Sequence, residues 1–216
     1  VKVFASPQIK NTATLVGNLV NGSPIGDLIP PLMVLGAQLE IASAKALRVV
    51  PLADFYLGYK KKDINQDEIV KAVQFSRPSN KNHFFRAFKV ANRKDLDISV
   101  VTLSGIMELD WSSRTIVEAK FSLGGVAEKV VRLIQAEAQL KGIRIDELSS
   151  QTARDAFIKP WVESIIHQIV PITDVRGSSQ YRKILVRNLF SKFFSEFFIF
   201  ISDNGVQFAQ KQVGIQ

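Results

Sequence analysis

Between Ser178 and Ile201 the sequence sets out an apolar face too broad to be left in water. Leu185, Leu189, Phe193 and Phe197 recur at helical spacing, and Val186, Phe190 and Phe194 form a second row beside them. Such a helix has to be covered by a sheet or by another helix. The run Ile184 to Ile201 also contains Arg187, Lys192 and Glu196. A bilayer-spanning helix needs about 20 mainly apolar residues. The segment is therefore read as a buried helix of a soluble protein, with no membrane partner.

The rest of the chain supplies strands for that cover. Phe84 to Val90, Ile98 to Leu109 and Thr115 to Leu123 read as a three-stranded antiparallel sheet, with Trp111-Ser112-Ser113-Arg114 turning between the last two. Ala37 to Ser43 and Ala46 to Val50 read as a hairpin, and Glu68 to Phe75 as another strand. Ile25 to Leu35 reads as a short helix in which Pro30-Pro31 force a kink or a restart. Ala127 to Leu140 has helical spacing and stops at Gly142. A helix capped by Ser149-Ser150 runs to about Val170, interrupted near Pro160. Ser76 to Asn82 is the best linker. The fold class is α+β in two parts, 1–78 and 79–216.

Composition excludes several chemistries. None of the 216 residues is Cys, which rules out a disulfide framework, a Cys-ligated zinc and a cysteine-bound iron–sulfur cluster in this chain. The formal charge is +8, but apart from Lys60-Lys61-Lys62 the basic residues are dispersed, which favours solvated faces over a nucleic-acid stripe. His83 and His167 lie far apart without metal spacing, so no metal site is expected, and no G-x-S-x-G occurs. Asp95 and Asp97 beside Arg93-Lys94 read as a solvated turn, so no catalytic residue is assigned.

The stretch from Asn11 to Asp27 packs Asn, Thr, Ser and Gly densely, and its amides could converge on an anion. Ser23 and Pro24 read as the cap and first residue of a helix whose dipole would add to that attraction. Gly124-Gly125 reads as a tight turn with phosphate binding as the sharper alternative. The helix start Asp174 to Arg182 reads as a cap, with Arg176 and Arg182 anchoring a domain contact or an anionic group as the alternative.

Five ordered blocks resemble one family. Thr14-Leu15-Val16-Gly17-Asn18 with Asn21-Gly22-Ser23-Pro24-Ile25-Gly26-Asp27 is similar to the second flavin-binding segment of the xanthine dehydrogenase FAD subunit. Phe55, Gly58-Tyr59-Lys60 and Asp67-Glu68-Ile69 resemble its next block. Phe84 to Lys89 and Arg93 to Ile98 resemble the one after. Gly124 to Ala127 and Arg176 to Arg182 resemble the C-terminal lobe. The resemblance implies the second lobe of a PCMH-type FAD-binding domain over 1–78, then a CO dehydrogenase flavoprotein C-terminal-like sheet packed with helices over 79–216. The family's first flavin-binding lobe lies upstream of these blocks, so the chain is expected to be roughly the C-terminal two-thirds of a flavin domain.

What the resemblance implies is an FAD-dependent oxidoreductase working within a larger cytoplasmic complex. Electrons leave a molybdopterin centre, pass through [2Fe-2S] clusters in partner domains or subunits, reach FAD and go on to NAD or oxygen. The implied FAD contacts are Phe4, Thr14, Leu15, Val16, Gly17, Asn18, Asp27, Val70 and Lys89. Phe4 would offer an aromatic face, the 14–18 turn its amides to the diphosphate, and Lys89 a positive charge favouring an anionic reduced flavin or a phosphate. Val16 stands where the family usually has Gly, and would be strained if the turn needs positive φ. The alternative from another class is a docking fragment of the same fold that binds no flavin. Nucleic-acid binding rests on net charge alone and is not expected.

Overall fold

The computed structural model describes residues 4–79, 81–93 and 97–213. The order is α1 (Pro7–Thr12), α2 (Leu15–Asn21), α3 (Ile29–Val34), β1 (Gln38–Ala42), β2 (Leu47–Pro51), α4 (Leu52–Phe55), β3 (Tyr56–Gly58), β4 (Lys61–Lys62) and β5 (Ile69–Gln74). Then come β6 (His83–Ala91), β7 (Ser99–Asp110), β8 (Thr115–Gly124), β9 (Val131–Arg132), α5 (Ile134–Leu140), α6 (Gln151–Gln168) and α7 (Ser179–Val213). Among the described residues no helix is long and apolar enough to cross a membrane.

The expected hairpin and the strand after it form an antiparallel sheet of order β2-β1-β5. The three later strands form the antiparallel sheet β6-β7-β8, extended by β9. One face of that second sheet takes α7. Phe190, Phe193, Phe194 and Phe197 are all buried, and Phe121 of β8 sits among them, with ring centroids 5.4 Å from Phe190 and 5.0 Å from Phe193. Room for those rings comes from Gly105, the cross-strand partner of Phe121.

Four local readings are corrected. No helix starts at Pro24: α2 ends at Gly22, whose φ of 62° closes it in the left-handed conformation, and a turn follows. The next helix begins at Ile29, so Pro30 and Pro31 fall in its first turn, where no intrahelical N–H is needed, and neither kinks it. Residues 127–133 are not helical. The β-branched pair Val130-Val131 leads into β9, which pairs with the edge of β8 at Ser122 and Leu123, so α5 starts only at Ile134. Finally, α6 runs unbroken through Pro160, which sits beside buried Trp161 and Val162; Trp161 Nε1–H donates to Ala136 O at 2.8 Å.

A Cβ at position 105 would lie 2.5 Å from Phe193 and 2.7 Å from Phe121. Gly105→Ala is expected to destabilise the fold by about 1–3 kcal/mol through overpacking, read as a lower urea midpoint. An unchanged midpoint would show that the aromatic cluster can move aside.

Candidate functional site

The second sheet face of β6 and β7 is covered by the segment 27–35, and the cover is incomplete. A cavity of about 440 Å³ remains between them. Its sheet wall has strand periodicity: Phe85, Ala87 and Lys89 alternate along β6, and Thr102 and Ser104 of β7 lie opposite Lys89 and Ala87. The opposing wall is a helical face of Leu28, Pro31, Leu32 and Leu35. Phe4, Leu15, Asp27, Phe75 and Phe88 complete the lining.

The cavity's polar groups are few and placed. Lys89 Nζ donates to Asp27 Oδ2 at 2.6 Å, with side chains 14% and 17% exposed. The Ser99 hydroxyl donates to Asp27 Oδ1. Ser99 reaches this side because the register shifts between Val90 and Ala91, leaving Val100 as the extra residue. Thr102 is 3% exposed, and among the described residues nothing hydrogen-bonds its Oγ1. An unmet buried hydroxyl costs roughly 1–3 kcal/mol, so it is a feature that a ligand would repay. A largely apolar slot lined by four phenylalanines, with an edge ion pair and an unmet hydroxyl, fits a planar aromatic ring with a polar rim.

Four of the nine implied contacts, Phe4, Leu15, Asp27 and Lys89, meet around this cavity. Thr14 to Asn18 form not an open turn but the start of α2. Thr14 caps it, taking the Gly17 N–H on Oγ1 at 2.9 Å, and its carbonyl takes the Asn18 N–H at 3.2 Å. Leu15 and Val16 carry the two helix amides that precede this internal pairing. The Asn18 side chain accepts the Leu28 N–H at 3.3 Å, tying α2 to the loop before α3. Val16 is helical and has no positive φ, so the strain raised by its replacement of Gly does not arise. Val70 pairs with Ile41 and packs against the first core rather than lining the cavity.

The Gly124-Gly125 turn is a packing junction. Gly125 has φ 80° and donates its N–H to Pro24 O at 2.8 Å, and a side chain there would overlap the Val100 carbonyl. Arg182, 1% exposed, donates to the Val100 and Gly125 carbonyls and to Asp174 Oδ1 at 2.8 Å. Burial pushes the Asp174 carboxyl up, but hydrogen bonds from Arg176, Arg182 and Gly177 outweigh it and hold it below the usual carboxylate value. Arg182 thus anchors the chain's own turn. His167 is exposed, His83 Nε2 lies 3.9 Å from Glu108, and no metal-holding cluster of His, Cys, Asp and Glu occurs among the described residues.

Sequence reasoning missed Ser99, Thr102, Ser104 and Phe85. The polar interruptions at 102 and 104 in an apolar strand were the available signal.

Residues 86–197, half the chain, match the CO dehydrogenase flavoprotein C-terminal domain, and residues 1–78 match the FAD binding domain in molybdopterin dehydrogenase. The chain belongs to the xanthine dehydrogenase family of FAD-binding proteins. It is 32% identical over 194 residues to the xanthine dehydrogenase FAD-binding subunit of Escherichia coli O157:H7, covering 89% of this chain and 63% of that subunit. It is 30% identical over 192 residues to the xanthine dehydrogenase/oxidase of Gallus gallus, covering 88% of this chain and 14% of that protein. The chain therefore spans less than two-thirds of the length of these relatives. Its fold matches a chain of the reconstituted CO dehydrogenase from Oligotropha carboxidovorans with a TM-score of 0.74 at 23% identity, covering 86% of this chain and 61% of that one. FAD is the cofactor of that family.

Thr102→Val keeps shape and removes the unmet hydroxyl. The ligand-free protein is expected to gain about 1 kcal/mol in urea unfolding. A loss of stability would show that the hydroxyl is already satisfied.

Proposed function

We propose that this chain is the flavin-holding, electron-transfer part of a xanthine dehydrogenase-type oxidoreductase, and that the cavity between β6–β7 and the 27–35 segment receives the flavin. The observation that carries the reading is convergence. Phe4, Leu15, Asp27 and Lys89 come from four separate places in the sequence and line one cavity. In this reading residues 1–78 are the second lobe of the FAD domain and residues 79–216 the C-terminal domain that supplies the opposite wall.

The flavin, when bound, supplies the redox chemistry. The chain's residues do the rest. Leu28, Pro31, Leu32 and Leu35 exclude water from one side, and Phe4 offers an aromatic face. The Leu15 and Val16 amides, ahead of the internally paired Gly17 and Asn18 N–H groups, would be offered to a phosphate. Electrons would arrive from iron–sulfur clusters on partner domains or subunits, since a chain without Cys cannot ligate such a cluster through thiolates. Molybdopterin belongs with those partners, and NAD or oxygen is the proposed acceptor.

The docking alternative has one observation in its favour. The Gly17 and Asn18 amides and the Thr14 and Asn18 side chains are all spent inside the protein.

Ala87 is exposed on β6 at the cavity wall, so Ala87→Trp should obstruct the cavity without disturbing a core. Titrating FAD into the chain is expected to give saturable quenching of flavin fluorescence. Ala87→Trp should weaken it at least tenfold with an unchanged circular dichroism spectrum. Absence of binding by the parent chain supports the docking reading instead, and equal binding by both proteins moves the flavin elsewhere.

A further inference from the structure

The sheet face that carries Lys89, Ala87 and Phe85 continues along β6 to His83. There a second, smaller hollow of about 220 Å³ opens. Among the described residues it shares one lining residue, Leu35, with the larger cavity. Its floor is a row across three strands: His83 of β6 lies opposite Glu108 of β7, which lies opposite Glu118 of β8. Lys120 of β8 and Ile106 of β7 form the next row. The rim comes from the segment between β5 and β6, through Ser76 and Arg77.

The charges here do not cancel where they stand. Like charges directly opposite on neighbouring strands are unfavourable, as Glu108 and Glu118 are. Glu118 is neutralised by Lys120, whose Nζ lies 2.6 Å from Oε2. Glu108 has His83 Nε2 at 3.9 Å, beyond hydrogen-bond reach and charged only when the imidazole is protonated. Arg77 is exposed and makes no ion pair or hydrogen bond among the described residues. The floor therefore holds an unmatched carboxylate and the rim an unmatched guanidinium.

We propose that this hollow binds a small zwitterion, an amino acid, with its ammonium on Glu108 and its carboxylate on Arg77 and the Ser76 hydroxyl. The volume is below the roughly 300 Å³ at which drug-sized pockets begin, which limits the occupant to a small molecule. A planar guanidinium takes a carboxylate through two parallel N–H donors, and the ammonium donates to Glu108 with charge on both partners. A simple cation would satisfy Glu108 and leave Arg77 unmatched. A simple anion would meet Arg77 but face two carboxylates. Val34, Leu35 and Ile106 give the methylenes between the charged ends an apolar wall. Asp27 and Lys89 lie outside this hollow, and a ligand here needs no flavin.

The chain has two histidines, His83 in this floor and His167 exposed on α6, so the imidazole proton resonances report on the hollow with an internal reference. Glycine, β-alanine and 4-aminobutyrate are titrated into the full chain at constant pH and ionic strength, with EDTA present. The His83 signals are expected to shift saturably, with a Kd of about 1 mM for the amino acid whose length best fits, while those of His167 stay in place. Methylamine and acetate, each carrying one of the two charges, should bind at least tenfold more weakly. Glu108→Gln and Arg77→Gln should each weaken the best amino acid at least tenfold with an unchanged circular dichroism spectrum. Arg77 is exposed on the rim, so its variant tests the site even where Glu108→Gln disturbs the sheet. No saturable shift of His83 with any of the three amino acids overturns the proposal. So does equal binding of methylamine or acetate, or full affinity in the Arg77→Gln protein.

Discussion

The first seven residues of strand β7 are buried on both faces, and much of the structure follows from having to cover it twice. Ser99 to Gly105 are all buried. One face is met by the phenylalanines of α7, the other by α3 and the loop before it, whose Met33 accepts a hydrogen bond from Ser122 on the neighbouring strand at 3.4 Å. The apolar area removed from water on each side favours the three-layer arrangement. Because the second cover comes from residues 27–35, the early part of the chain must lie on the later sheet.

That packing is asymmetric, and the asymmetry makes the site. The α7 face is filled by aromatic rings that interlock edge to face, with Phe121 at the centre and Gly105 giving it space. The other face carries Lys89, Thr102 and Ser104 and meets a short helix, so it closes imperfectly around polar groups. The gap is pinned at its edge by the Asp27–Lys89 pair and by the contact of Gly125 with the Pro24 carbonyl. Arg182 holds the far side of that contact by donating to Val100 and Gly125 at once.

The regular elements were legible from pattern. The period-two runs at Phe84, Ile98 and Thr115 are strands, and the double stripe from Leu185 to Phe197 is a buried helix face. Short elements misled where two local signals competed. Ser23-Pro24 carries a helix-start signature, yet Thr14 caps a helix first and Gly22 ends it. Val131 and Arg132 lie in the run with helical spacing, but the open edge of β8 offered backbone hydrogen bonds that drew them into a strand. Pro160 looked like a break and is tolerated because the surrounding helix is held by tertiary burial of Trp161, Ile165 and Ile166.

The sequence by itself determined the class of fold, the order of its strands, the absence of thiol chemistry and the family likeness, because these depend on periodicity, composition and ordered blocks. It also marked Phe4, Leu15, Asp27 and Lys89 as candidates, one by one, through that likeness. Tertiary structure alone decided that these four share a cavity, that Lys89 is compensated by Asp27, and that Thr102 keeps an unmet hydroxyl there. Charge compensation and unmet hydrogen bonds depend on distances across the fold: Asp27 and Lys89 lie 62 positions apart in sequence and 2.6 Å apart in space.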